Sequence, residues 1–234
     1  MPARQSQAGP VMGRGIFVGG TDTGIGKTVA SAALIRALVA SGRHAIGMKP
    51  VAAGIDAAGG VNADVEALAA AGNVDAPLRE RNPYAFAAAV APHVAAAAAG
   101  VAIELQTIAE AYLRLAARAD VVIVEGAGGV MVPLSPRTDM LDIPLHLDIP
   151  VLLVVGLRLG CINHALMSIA AIRARGLDCV GWVANVIDPA MPFADRNIEA
   201  LSERIIAPCV AVLPHHPSPV FPQAALARMG LASV

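Results

Sequence analysis

The sequence predicts one α/β domain, a mostly parallel sheet with helices on both faces. Three observations point there. Short β-branched runs alternate along the chain with longer helical patterns, as in a parallel sheet built from crossover connections. The runs are nearly continuous in apolar character, as strands are when both faces are covered. A glycine-rich turn joins the first strand to the first helix.

Strands are predicted over residues 16–18, 45–48, 121–124, 151–155, 180–184 and 210–213. Helices are predicted over 27–39, 63–71, 105–118, 163–175 and 194–206. The third shows the helical period well, with Leu105, Ile108, Ala109, Tyr112, Leu115 and Ala116 on one face. Gly42, Gly72 and Gly176 stand where helices are expected to end. The alanine-rich stretch 85–99 reads as part of a small-residue helix packed on a neighbour. No repeat or linker divides the chain, so one domain is expected over residues 15–234. Residues 1–14 lack an apolar signal core and read as a disordered leader, with Met12 as an alternative start.

Composition narrows the function. The 234 residues are 56% apolar and 15% charged, enough apolar surface to offset ordering entropy, so disorder is excluded. Seventeen basic residues against eighteen acidic ones form no basic block, which argues against a nucleic-acid partner. Mean hydropathy of +0.62 comes largely from alanine. The most apolar span, 85–105, is broken by Pro92, His93 and Gly100, so no membrane-spanning helix is predicted. Cys161, Cys179 and Cys209 are odd in number and lack metal or redox spacing, which fits reduced thiols and a cytoplasmic setting.

The turn after the first strand reads Gly19-Gly20-Thr21-Asp22-Thr23-Gly24-Ile25-Gly26-Lys27-Thr28, and a helix follows at once. A phosphate-binding loop needs this arrangement: glycines let backbone N–H groups converge on phosphate oxygens, and the helix N-terminus adds positive dipole. Lys27 would reach the outer phosphates and Thr28 would ligate Mg²⁺. The strict pattern has glycine where Thr21 stands, so the loop is a variant. Such a loop fits a nucleotide switch, a partitioning-type ATPase, a kinase or a ligase that activates its substrate by phosphorylation.

Other residues sharpen the choice. The strand at 121–124 runs into Glu125-Gly126-Ala127-Gly128-Gly129, where an acid is placed as a metal ligand; by position alone an ordinary strand-end glutamate fits equally. Asp64 opens a helix, where plain charge–dipole stabilisation also accounts for it. Thr28, Asp64 and Glu125 together would offer three oxygens to Mg²⁺. Lys49, in Lys49-Pro50-Val51-Ala52-Ala53-Gly54, is either a lysine snorkelling at a sheet rim or a second cation near the transferring phosphate.

Taken in order, these segments, together with Gly160-Cys161-Ile162-Asn163-His164 and Gly181-Trp182-Val183-Ala184-Asn185, resemble the dethiobiotin synthetases over roughly residues 15–213. The resemblance implies a single-domain P-loop NTPase-like fold and a cytoplasmic homodimer of biotin biosynthesis. The reaction it implies uses Mg-ATP, CO₂ and 7,8-diaminopelargonic acid. An amine takes up CO₂, ATP phosphorylates the carbamate, and the second amine closes the ring with release of ADP and phosphate. Carried over by resemblance, Thr23, Lys27 and Lys49 would surround the carbamate and the transferring phosphoryl group. Thr28, Asp64 and Glu125 would hold Mg²⁺. Gly24, Ile25, Gly26, Val29, Gly126, Ala127 and Gly128 would complete the phosphate site. Asn185 and Val186, with Pro214, His215 and His216, would line the adenine. Gly160, Cys161, Ile162 and Asn163 would hold the substrate carboxylate from across the dimer.

One position departs from the family, which usually carries a hydroxyl residue where Ala53 stands among the substrate contacts. The adjacent histidines 215 and 216 point apart and do not read as a metal site. Trp182 reads as core. A partitioning-type ATPase is the main alternative, but such proteins place a signature lysine where this chain has Asp22, and residues 222–234 show no basic surface or membrane helix. A regulatory domain retaining the fold without activity is a third reading, resting only on Ala53.

Overall fold

The computed structural model describes residues 14–55, 60–216 and 218–231. In chain order the elements are β1 (Arg14–Gly20), α1 (Lys27–Ala40), β2 (Ala45–Met48), β3 (Val51–Ala53), α2 (Ala63–Ala71), α3 (Leu78–Arg81), β4 (Tyr84–Phe86), α4 (Pro92–Ala98) and α5 (Leu105–Ala116). There follow β5 (Val121–Glu125), α6 (Asp142–Leu147), β6 (Val151–Leu157), α7 (Cys161–Ala174), β7 (Cys179–Val186), α8 (Ala194–Ser202), β8 (Cys209–Leu213) and α9 (Gln223–Arg228). Among the described residues six strands form one parallel sheet in the order β2-β5-β1-β6-β7-β8. A separate parallel pair joins β3 to β4.

The apolar continuity of the strands has its cause in two cores, one on each face. Val121 and Ile123 of β5 pack into one cluster, Val122 and Val124 into the other; Leu152 and Val154 of β6 are divided in the same way from Leu153 and Val155. Side chains alternate across a strand, so a sheet covered on both faces needs an apolar residue at every step. Helix α1 lies in the first of these cores and is buried over most of its circumference, including Ala30, Leu34, Ile35 and Leu38.

All six predicted strands lie in the large sheet, several of them longer than expected. The leader expected over residues 1–14 falls outside the described residues except for Arg14, which opens β1 with its N–H donated to Asp120 O. Helix α7 begins at Cys161, two residues early, while α5 and α8 stop at Ala116 and Ser202, short of their expected ends. Gly42 and Gly176 take positive φ as expected of helix ends, whereas Gly72 is extended at φ −87°. The stretch 85–99 is helical only over α4; its first residues pair in β4, and Pro92 falls in the first helical turn, where its missing N–H costs nothing. The short elements β3, β4, α3, α6 and α9 were not expected. Trp182 is fully buried, as core. Among the described residues no helix is long and apolar enough to cross a membrane.

Candidate active site

The site forms where β1, β2, β5 and β7 end, at the carboxyl edge of the sheet, the usual place for ligands in an open α/β fold. From β1 the chain turns through residues 21–26 into α1. Gly26 holds the last step at φ 79°, and a Cβ there would stand 2.1 Å from Asn185 Nδ2, so any other residue is strained and must displace that amide. Asn185, near the end of β7 and buried, donates Nδ2 to Ile25 O at 2.8 Å and ties the turn to the sheet.

Lys27 is the first residue of α1, and its ammonium donates to Asp22 O at 2.8 Å. Burial, then the positive charge of Lys49, brings its pKa from 10.5 down to about 8; Glu125, Asp64 and Asp22 oppose that shift.

Lys49 follows β2 directly, and Pro50 has no N–H to continue the strand. Its backbone is held on both sides: its N–H donates to Arg81 O at 2.8 Å, and its carbonyl accepts from Asn82 Nδ2 at 2.7 Å. The side chain is 5% exposed, with Nζ 2.8 Å from Asp64 Oδ2 and 2.5 Å from Glu125 Oε1. Burial pulls the Lys49 pKa down, but Glu125 and Asp64 outweigh it and the pKa rises, so the side chain is a cation.

Asp64 is placed by a helix cap: Asn62 Oδ1 accepts the Asp64 N–H at 3.0 Å. Burial would push the Asp64 carboxyl up, but the Lys49 charge and hydrogen bond hold it below the usual carboxylate range. Glu125 is fully buried at the end of β5, and Thr28 Oγ1 donates to its Oε1 at 2.8 Å. Its second oxygen, Oε2, is buried with no partner from the protein. Two carboxylates, one of them with an orphaned buried oxygen, and a hydroxyl form a hard-oxygen donor set that fits a magnesium ion. Among the described residues no three His, Cys, Asp or Glu side chains cluster as an all-side-chain metal cage.

Thr28, Lys49 and Asp64 reach the floor of a cleft of about 710 Å³, with Glu125 buried behind them. Thr23, Lys27, Thr28, Lys49 and Asp64 give its polar side, and Ala127 and Gly128 of the turn after β5 also reach it. The facing wall is apolar: Ala52, Ala53, Ala89, Val90, Pro92 and Val132. A recess of about 380 Å³ adjoins it and is lined by Asn185, Val186, Ile187, Pro214, His215 and His216. Gly24, Gly26 and Val29 line both, so the two spaces meet at the phosphate loop.

The fold therefore brings Thr23, Gly24, Gly26, Lys27, Thr28, Val29, Lys49, Ala53, Asp64, Ala127, Gly128, 185–186 and 214–216 to these two spaces, while Ile25, Glu125 and Gly126 line neither, Ile25 and Glu125 being buried behind them. It does not bring residues 160–163 to the same cleft. Gly160, Cys161, Ile162 and Asn163 form the start of α7, where Cys161 is buried and Asn163 exposed, and they line neither space. Sequence reasoning missed Asn82 and Asn62, which fix Lys49 and Asp64. It also missed Arg158, whose guanidinium pairs with the Asp22 carboxylate. The Asn62-Ala63-Asp64 spacing was a readable cap signal for Asn62; nothing in the sequence marks Asn82 or Arg158.

A family model described as an AAA domain matches residues 14–223. An ATP-dependent dethiobiotin synthetase of Nitrosospira multiformis is 50% identical over 204 residues, 87% of this chain and 89% of that protein. Its counterpart in Aromatoleum aromaticum is 53% identical over 204 residues, 86% of this chain and 91% of that protein. The chain belongs to the dethiobiotin synthetase family.

More distant structures share the fold of this family. The septum site-determining protein MinD of Pyrococcus horikoshii, solved with Mg-ADP, superposes with a TM-score of 0.56 at 18% identity, covering 94% of this chain and 95% of that one. A chain of the Aquifex aeolicus MinC:MinD cell division protein complex gives 0.54 at 15% identity, covering 87% of this chain and 82% of that one. At such identity the likeness carries the fold alone.

Proposed function

We propose that this protein is an ATP-dependent dethiobiotin synthetase, which carboxylates 7,8-diaminopelargonic acid and closes the ureido ring with release of ADP and phosphate. The observation that carries the reading is the convergence of Lys49, Asp64 and Thr28 beside Lys27 at the floor of one cleft, with Glu125 buried directly behind them and bonded to Lys49 and Thr28. A carbamate is a poor electrophile until one oxygen leaves as phosphate, and the protein's part is to hold reactants, neutralise charge and exclude water.

In this reading Lys27 and the loop amides hold the ATP phosphates, while Asn185 and the 214–216 segment line the base. Lys49 and Thr23, which line the same cleft, face the carbamate, and Lys49 neutralises the charge that builds as the phosphoryl group moves. The wall of Ala52, Ala53 and Val90 suits the aliphatic chain of the substrate, and Ala53 offers it a methyl instead of a hydroxyl. Thr28, Asp64 and Glu125 would hold magnesium, which supplies positive charge to the nucleotide phosphates. Because residues 160–163 line neither space of their own chain, a homodimer that presents them to a neighbour's cleft belongs to the proposal, as does a cytoplasmic setting.

ADP release tests the reading directly. With Mg-ATP and bicarbonate present, release should require diaminopelargonic acid. Release at the same rate without the diamine would point to a nucleotide switch instead.

A further inference from the structure

Asp22 is a carboxylate set into an anion-binding turn. Three contacts engage it. Its Oδ1 accepts the Thr23 N–H at 2.7 Å, its backbone carbonyl accepts Lys27 Nζ at 2.8 Å, and its Oδ2 pairs with the Arg158 guanidinium. Arg158 lies one residue past β6, which runs beside β1 with Val154 opposite Gly20, and Thr21 donates its N–H to Val154 O at 3.1 Å. The arginine's backbone is therefore fixed next to the loop. Each side chain of the pair is 43% exposed, so the pair adds little to the stability of the fold. Its effect falls on what binds the loop.

We propose that Arg158 is a positioning residue for the nucleotide: by pairing with Asp22 it cancels a negative charge at the rim of the phosphate loop and fixes the carbonyl against which Lys27 rests. The inference rests on the reading of this loop as the nucleotide site. An unpaired carboxylate there repels an incoming diphosphate or triphosphate, and the repulsion acts only while Asp22 is charged. Arg158 thus acts through Asp22, and removing both charges should leave binding intact. Asparagine at position 22 keeps an oxygen for the Thr23 N–H.

The test is titration of the full-length protein with Mg-ADP by calorimetry, for the parent, Arg158→Ala, Arg158→Gln, Asp22→Asn and the Asp22→Asn/Arg158→Ala pair. Both arginine variants should melt close to the parent and bind Mg-ADP about fivefold or more weakly at low salt, with the deficit shrinking at high salt. The double variant should return to within about twofold of the parent, because the repelling charge is gone. Unchanged affinity in both arginine variants overturns the proposal. So does weakened affinity that Asp22→Asn fails to restore, since Arg158 would then act on the nucleotide directly. A parent that melts cooperatively yet binds no Mg-ADP overturns the nucleotide reading itself, a result distinct from either.

Discussion

The Lys49 ammonium and the Glu125 carboxylate meet at 2.5 Å, with side chains 5% and 0% exposed. Sheet register creates the meeting. Met48, the last residue of β2, lies opposite Val124 of β5, so Lys49 just past β2 and Glu125 at the end of β5 come side by side at the sheet edge. Thr28 and Asp64 then close on the same pair from α1 and α2.

Lys49→Ala should reduce turnover by about two orders of magnitude, the scale of losing one preorganised charge from a transition state. It should also lower the melting temperature, because Glu125 is left buried and unpaired. Adding Glu125→Gln should recover stability but not turnover. Melting curves and ADP release separate the two effects, and near-parental turnover in Lys49→Ala would remove Lys49 from the chemistry.

Thr28→Val keeps the shape of the side chain and deletes the hydroxyl that donates to Glu125 at 2.8 Å. The Mg²⁺ concentration for half-maximal ADP release should rise about tenfold or more, the range seen when a metal site loses a supporting group. An unchanged Mg²⁺ titration would take Thr28 out of the donor set.

The lowered pKa of Lys27 gives a pH signature. The unfolded chain holds this proton up to about 10.5, while the folded, nucleotide-free protein loses it near 8. Below pH 8 the fold carries the full cost of a buried cation; between 8 and 10.5 the unfolded chain binds more protons, so this group's contribution to stability rises with pH, by about 3 kcal/mol in all. Phosphate binding favours the charged lysine and draws the proton back. Mg-ADP binding at pH 9, measured by calorimetry in buffers of different ionisation heat, should therefore take up protons, whereas proton release would contradict the assignment of Lys27.

Gly26→Ala should abolish nucleotide binding in a protein that still folds. The new Cβ would collide with Asn185 Nδ2 and would sit on a residue at φ 79°, breaking the tie between the turn and β7. Equilibrium binding of Mg-ADP alongside far-ultraviolet circular dichroism checks it; parental affinity would show that the turn tolerates a side chain.

Much of this architecture was legible from residue patterns because the sheet is covered on both faces. Runs such as 121–124 and 151–155 announce themselves, and a glycine-rich turn between strand and helix fixes the site's position. The short parallel pair β3–β4 was not legible: three residues give no period, and alanine, shared with α4, favours helix over strand, so residues 85–86 read as part of the helical stretch. Lys49, Asp64 and Glu125 each had an ordinary explanation alone; only the register of β2 against β5 and the Asn62 cap make them one cluster. The Arg158–Asp22 pair spans residues far apart in sequence and left no local signal at all.

The most direct measurement supplies purified protein with Mg-ATP, 7,8-diaminopelargonic acid and ¹³C-bicarbonate, and follows the product by mass spectrometry. The account predicts dethiobiotin labelled at the ring carbonyl, formed in step with ADP. ATP hydrolysis with no labelled product, or labelled product formed without ADP, would contradict it.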